Sequence, residues 1–337
     1  MKAFVIHKPF EADVREVEIP SPLEDEVLVK VKAAGFCGTD VHTFRGEHPT
    51  EYPIIPGHEF SGVIVKCGSA VSHFQVGDRV IADPNIFCEN CPACKANHQI
   101  HCQHIRVIGN TRNGAFAEYV TVPERCLFSA EGIDFLQGAM AEPLACCINS
   151  HNKYEISIGS RVLVLGAGTI GLMQLMLSKR RGAADITVID RKPNQLEMAK
   201  KLGASRVLIS DDAVEQNLRN IHPEGYDVII EATGVPKVGE MGVRLLANCG
   251  TFVAFGACAP NSSITVNPFD IYYKDLKIIG SYALQKTMGQ SIAMLGEGGL
   301  DLRPLIGQVI SLDEMPKVFD DFVNGRTQNK IIVSFED

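Results

Sequence analysis

The hydrophobic pattern of the chain changes character near residue 160. Up to about residue 145, apolar and polar positions alternate in short runs broken by Gly and Pro. There EVLVKVKAAGF (26–36), GDRVIAD (77–83) and AFAEYVTV (115–122) each predict a strand. Beyond residue 160 the runs become continuous. RVLVL (161–165) leads into a glycine-rich turn and then a helical stretch to about Arg181. ITVID (186–190) predicts a strand and NQLEMAKKLGA (194–204) a helix. RVLIS, DVIIEATG, TFVAF and LKIIGS add further strands, with helical patterns between several of them. Apolar runs alternating with helices imply an α/β architecture, a doubly wound parallel sheet buried on both faces. The last ~55 residues return to a mixed pattern and close on the strand-like KIIVSF (330–335). A chain of 337 residues is long for one core. The pattern divides it into a β-rich part over 1–148, an α/β part over 149–282 and a mixed part over 283–337.

The glycine-rich turn is GAGTIG, comprising Gly166, Gly168, Thr169, Ile170 and Gly171 around Ala167. It follows a buried strand and opens a helix, the setting a dinucleotide requires. Gly166 permits the tight turn, Gly168 lets backbone approach a pyrophosphate, and Gly171 lets helix and strand pack closely. The helix N-terminus then faces the phosphate charge. Asp190 ends the next strand, where its carboxylate can accept both ribose hydroxyls and repel a 2′-phosphate. That favours NAD. Arg191 follows directly, and an arginine at that place can serve NADP.

Eleven cysteines sit in a chain whose first residues, MKAFVIHKPFEADVREVEIP, do not read as a signal peptide. Reduced thiols or metal ligands are expected rather than disulfides, and a cytoplasmic location. Cys88, Cys91, Cys94 and Cys102 crowd into a lobe at about 86–104. Four thiolates at this spacing suit a closed, structural zinc; an iron–sulfur cluster is the competing use. His98, His101 and His104 read as surface residues of the same lobe.

A second, mixed set is spread more widely. GFCGTDVH supplies Cys37, Thr39, Asp40 and His42; GHE supplies His58 and Glu59; MAEPLAC supplies Glu142. One thiolate, one imidazole and one or two carboxylates leave a coordination position open, the pattern of a catalytic zinc. Neighbouring residues of an extended chain point to opposite faces. His58 and Glu59 can therefore share a metal only if the chain bends, which Gly57 and Gly62 allow. Whether Glu59 or Glu142 is the direct ligand stays open on this reading.

Net charge is −8 without a run of Lys or Arg, which argues against nucleic acid as a partner. No apolar run reaches membrane-spanning length.

Taken in order, GFCGTDVH, GHEFSG, VGDRV, the four-cysteine lobe, NGAFAEY, EPLAC, VLVLGAGTIG and VID span the chain. This series resembles the zinc-dependent medium-chain dehydrogenases, in particular the branch around sorbitol and sugar-acid dehydrogenases. The resemblance implies a β-rich catalytic domain of chaperonin-10-like fold interrupted by a Rossmann domain, with the active site in the cleft between them. It implies two zincs per chain, one catalytic and one structural, and NAD. It makes Cys37, His58 and Glu59 ligands of the catalytic zinc, with Glu142 positioning its water or exchanging into the ligand set. Thr39 and His42 match the family's proton relay, and Asp40 the carboxylate that orients the metal-bound histidine. Asn149 stands where sorbitol dehydrogenases often carry histidine. The implied reaction moves a hydride from a secondary hydroxyl of a polyol or aldonate to NAD, giving a ketone. An arginine, Arg45 or Arg112, would be needed for an aldonate. Threonine or simple alcohol dehydrogenase activity is the alternative within the family, and a non-catalytic NAD-binding redox sensor the alternative outside it. A homodimer or homotetramer is expected.

Overall fold

The computed structural model describes residues 1–296, 298–326 and 329–335. The chain separates into two compact units, Met1–Ala145 with Leu284–Asp337, and Cys146–Ala283.

The first unit opens with an antiparallel hairpin, β1 (Lys2–Lys8) and β2 (Glu11–Glu16). Its strands continue with β3 (Glu26–Gly35), then, after helix α1 (Gly38–Arg45), with β4 (Glu59–Cys67) and β5 (Arg79–Ala82). The short strands β6 (Asn85–Ile86) and β7 (Arg106–Val107) flank the cysteine lobe, which holds α2 (Pro92–Lys95). β8 (Tyr119–Pro123), β9 (Leu127–Ser129), α3 (Phe135–Gly138) and α4 (Ala141–His151) follow. The run at 115–122 becomes regular strand only from Tyr119. Ala115, Phe116 and Ala117 are wholly buried, and Ala117 makes an isolated bridge to Ala3 instead.

The second unit is built as its continuous apolar runs require. β10 (Arg161–Leu165), α5 (Thr169–Arg180), β11 (Asp185–Asp190), α6 (Pro193–Leu202), β12 (Arg206–Ile209), α7 (Val214–Ile221), β13 (Tyr226–Glu231), α8 (Pro236–Arg244), β14 (Leu246–Ala254), α9 (Pro268–Tyr273) and β15 (Lys277–Gly280) succeed one another. The six strands pair in parallel in the order β12-β11-β10-β13-β14-β15, the doubly wound arrangement. Val162 to Leu165 in the central strand are fully buried, because helices cover both faces.

After α10 (Met288–Leu295) the chain adds β16 (Ile306–Ile310), α11 (Met315–Val323) and β17 (Lys330–Ser334) to the first unit. The larger sheet runs β16-β17-β3-β4-β5-β9, with β8 also paired to β3. Phe319 on α11 packs 5.0 Å from Phe4 and 5.8 Å from Phe36, so the last elements complete the core begun by the first.

Candidate active site and metal centres

The mixed donor set assembles around the start of α1 and the start of β4. Cys37 caps α1, and its backbone N–H donates to the Asp40 carboxylate at 2.9 Å. The other Asp40 oxygen accepts from the Gly57 N–H at 3.3 Å and lies 3.7 Å from His58 Nδ1. Gly57 has φ +94, a left-handed turn immediately before β4 that a side chain would resist. Through that turn His58 and Glu59, neighbours in sequence, bring their donor atoms to one place. Those of Cys37, His58 and Glu59 all lie within 4.8 Å of one another. His58 and Glu59 are buried and Cys37 is half-buried.

The surrounding field draws positive charge. Burial acts to push the His58 imidazole down, but the charges of Cys37 and Asp40 outweigh it and hold it well above its ordinary range. The ammonium of Lys330, on β17, is buried and ion-paired with Glu59. Burial acts to lower its pKa, and the charges of Glu59, Cys37 and Glu142 raise it instead. A thiol, an imidazole and a carboxylate converging in a negative, buried site fit a zinc ion. Glu142 is buried in the first turn of α4, within electrostatic reach of Lys330, but stands outside the compact set of three.

The relay candidates share one face of α1, three residues apart. Thr39 Oγ1 lies 3.6 Å from Cys37 Sγ. The partly exposed His42 ring places Nδ1 2.5 Å from the Glu47 carboxylate. Arg45 and Arg112 are engaged elsewhere. Arg45 donates to the Val323 carbonyl at 3.0 Å, and Arg112 bonds Glu26 and Thr121, each at 2.6 Å.

In the lobe, the sulfurs of Cys88, Cys91, Cys94 and Cys102 also lie within 4.8 Å of one another. Backbone N–H groups are aimed at them: Cys91 donates to Cys88 Sγ, and Cys88 and His104 donate to Cys102 Sγ, each at 3.4 Å. Such donors stabilise thiolate charge, so the lobe fits a metal held by four sulfurs. His98, His101 and His104 are exposed, as the sequence reading had them.

In the second unit Gly166 adopts φ +97, and a Cβ there would stand 2.8 Å from Thr233. A Cβ on Gly171 would strike the Gly166 carbonyl oxygen, so that glycine serves packing. At Gly168, which caps α5, a Cβ would meet nothing within 4 Å. That open space ahead of the half-buried Thr169 and Ile170 fits a pyrophosphate against the helix N-terminus. The Asp190 carboxylate is held by the N–H groups of Ala167 and Lys192, each at 2.8 Å, while Arg191 is exposed.

Two family models match the chain, the alcohol dehydrogenase GroES-like domain over residues 23–132 and the zinc-binding dehydrogenase model over residues 169–297. D-altritol 5-dehydrogenase of Agrobacterium fabrum is 34% identical over 297 residues, 87% of each chain. The chain belongs to the zinc-dependent medium-chain dehydrogenases. The dehydrogenase is also 32% identical to an L-threonine 3-dehydrogenase of Bacillus velezensis, over 99% of each chain. Among solved structures, a zinc-binding dehydrogenase of Sinorhizobium meliloti 1021 bound to NADP superposes with a TM-score of 0.94 at 35% identity. The match covers 99% of this chain and 98% of that one. The GroES-like and Rossmann parts expected from the motifs are both present, and the dehydrogenase is an enzyme of this family.

Sequence reasoning did not single out Lys330. Its only signal was a lysine directly before the buried run IIV, where a charged residue is otherwise unexpected.

Proposed function

We propose that this dehydrogenase oxidises a secondary hydroxyl of a polyhydroxylated small molecule to a ketone, with NAD as hydride acceptor. The observation that carries the reading is the buried convergence of Cys37, His58 and Glu59. These three residues hold the catalytic zinc, and the four cysteines of the lobe hold the structural one. When bound, zinc supplies Lewis acidity toward the hydroxyl and the nicotinamide takes the carbon's hydride.

The chain's own residues handle orientation and the proton. Asp40, fixed by the Cys37 and Gly57 N–H groups, orients the His58 ring from its Nδ1 side. The Thr39 hydroxyl accepts the proton that leaves the substrate oxygen as it gives its own onward toward His42, and His42 passes one to Glu47 and water at the exposed end of the relay. Glu142, buried at the head of α4, would hold a water beside the metal set.

A polyol fits better than an aldonate, because Arg112 and Arg45 are both engaged away from a substrate carboxylate. The D-altritol relative supports the same substrate class. Asp190 favours NAD, since a carboxylate fixed by two N–H groups repels a 2′-phosphate. A homo-oligomer is supported by β15, the last strand of its sheet, beside which Tyr272, Tyr273 and Tyr282 are exposed. A location in the cytoplasm accords with eleven cysteines that all stand outside disulfides. Among the described residues no helix is long and apolar enough to cross a membrane.

The test is turnover of sorbitol, xylitol, galactitol, altritol, gulonate, threonine and ethanol with NAD and NADP, on protein of measured zinc content. Faster turnover of threonine or ethanol than of every polyol would sink the substrate class. Equal use of NADP would remove the role given to Asp190.

A further inference from the structure

The side chain of Lys330 reaches its partners across a neighbouring strand. β17, β3 and β4 lie side by side, and Gly35 on β3 pairs with Glu59 on one flank and Ile332 on the other. The Lys330 ammonium donates to the Phe36 carbonyl at 2.7 Å and pairs with the Glu59 carboxylate. A Cβ on Gly35 would stand 2.5 Å from Glu59 Oε2 and 2.8 Å from Lys330 Cε. Gly35 is not in the left-handed region, so backbone conformation does not require glycine there. Its missing side chain makes room for the pair.

A buried carboxylate needs a cationic partner. Glu59 has two on offer: the ammonium it touches, and the ion that Cys37 and His58 would share with it. We propose that Lys330 and the catalytic metal are alternative partners of Glu59, so that Lys330 is a positioning residue governing how fully Glu59 ligates. This rests on Cys37, His58 and Glu59 being the metal set. With Lys330 present, Glu59 is held in place in metal-free protein, and it is drawn away from the ion in loaded protein. The ammonium also offsets one of the two negative charges that Cys37 and Glu59 bring to the site.

The experiment compares wild type with Lys330→Met, Lys330→Gln and Lys330→Arg. Zinc affinity of the Cys37 site is read by competition with a chelator, the four-cysteine zinc serving as internal control. Melting of metal-stripped protein and the absorption spectrum after cobalt substitution are read in parallel. Lys330→Met and Lys330→Gln are expected to bind zinc at least tenfold tighter, to melt lower when stripped, and to shift the cobalt bands. Lys330→Arg should restore all three. A residue that merely filled the core would weaken zinc binding and stability together. Wild-type or weaker zinc affinity in the neutral variants, or no rescue by arginine, overturns the proposal. Should Lys330→Met fail to accumulate, Lys330→Gln, which keeps a donor for the Phe36 carbonyl, decides it. Wild-type protein that loses no zinc on Cys37→Ser would overturn the metal set itself, a separate failure.

Discussion

Arg112 and Glu26 meet at 2.6 Å although 86 residues separate them, and both side chains are largely withdrawn from water. Burial acts to raise the Glu26 pKa, but the Arg112 guanidinium and the Leu23 N–H hold it below its ordinary range. Removing one partner of such a pair leaves the other charge buried and costs about 3 kcal/mol or more. Arg112→Met is therefore expected to lower the melting temperature clearly. The ratio of Michaelis constants for gulonate and sorbitol should stay unchanged, because this arginine is a structural partner. A selective rise for the acid would return Arg112 to the substrate site.

The second and third glycines of the turn should fail in different ways. Gly168→Ala adds a methyl into open space and should leave thermal stability near wild type while weakening dinucleotide binding about tenfold or more. Gly171→Ala drives a methyl onto the Gly166 carbonyl and should lower the melting temperature first. Calorimetry and NADH fluorescence titration on both variants separate these outcomes. Unchanged NADH affinity in Gly168→Ala would show that the pyrophosphate does not lie there.

Two zincs per chain are expected by elemental analysis. Cys94→Ser should retain one and melt well below wild type, since structural zinc contributes on the order of 10 kcal/mol of apparent binding energy. Cys37→Ser should also retain one, lose turnover, and melt close to wild type. One zinc in active wild-type protein would contradict the pair of sites.

His151, at the end of α4, is pushed down from 6.5 to about 3 by burial and by the nearby Arg181 charge, with Gln174 acting the other way. The unfolded chain therefore binds a proton between these values that the folded chain refuses, and stability falls as pH drops below about 6.5. By pH 5 this one group removes about 2 kcal/mol. His151→Phe keeps a ring beside Tyr154, 5.2 Å away, and should lose correspondingly less stability between pH 7 and pH 5 in urea titrations. Identical losses in both proteins would refute the assignment.

Much of this molecule was legible one segment at a time. The continuous runs from RVLVL to LKIIGS became the parallel strands β10 to β15, because burial on both faces removes the need for polar positions. The turn of Gly166, Gly168 and Gly171 and the spacing of the four cysteines are local features, and their geometry follows from a few consecutive residues. Less was legible where an element has weak periodicity of its own. The hairpin of β1 and β2 and the helix α1 carried little pattern, and α1 proved to be what aims Thr39, Asp40 and His42.

By itself, the sequence determined which residues were candidates for metal and dinucleotide and that the chain would form both a doubly wound sheet and a β-rich fold. Only the tertiary structure decided which charges meet. Strand order put Lys330, 294 residues from Phe36, across Gly35 from Glu59, and it withdrew Arg112 to Glu26. Periodicity records whether a side chain faces water or core. A buried charge finds its partner through neighbouring strands that the chain reaches only after folding back on itself.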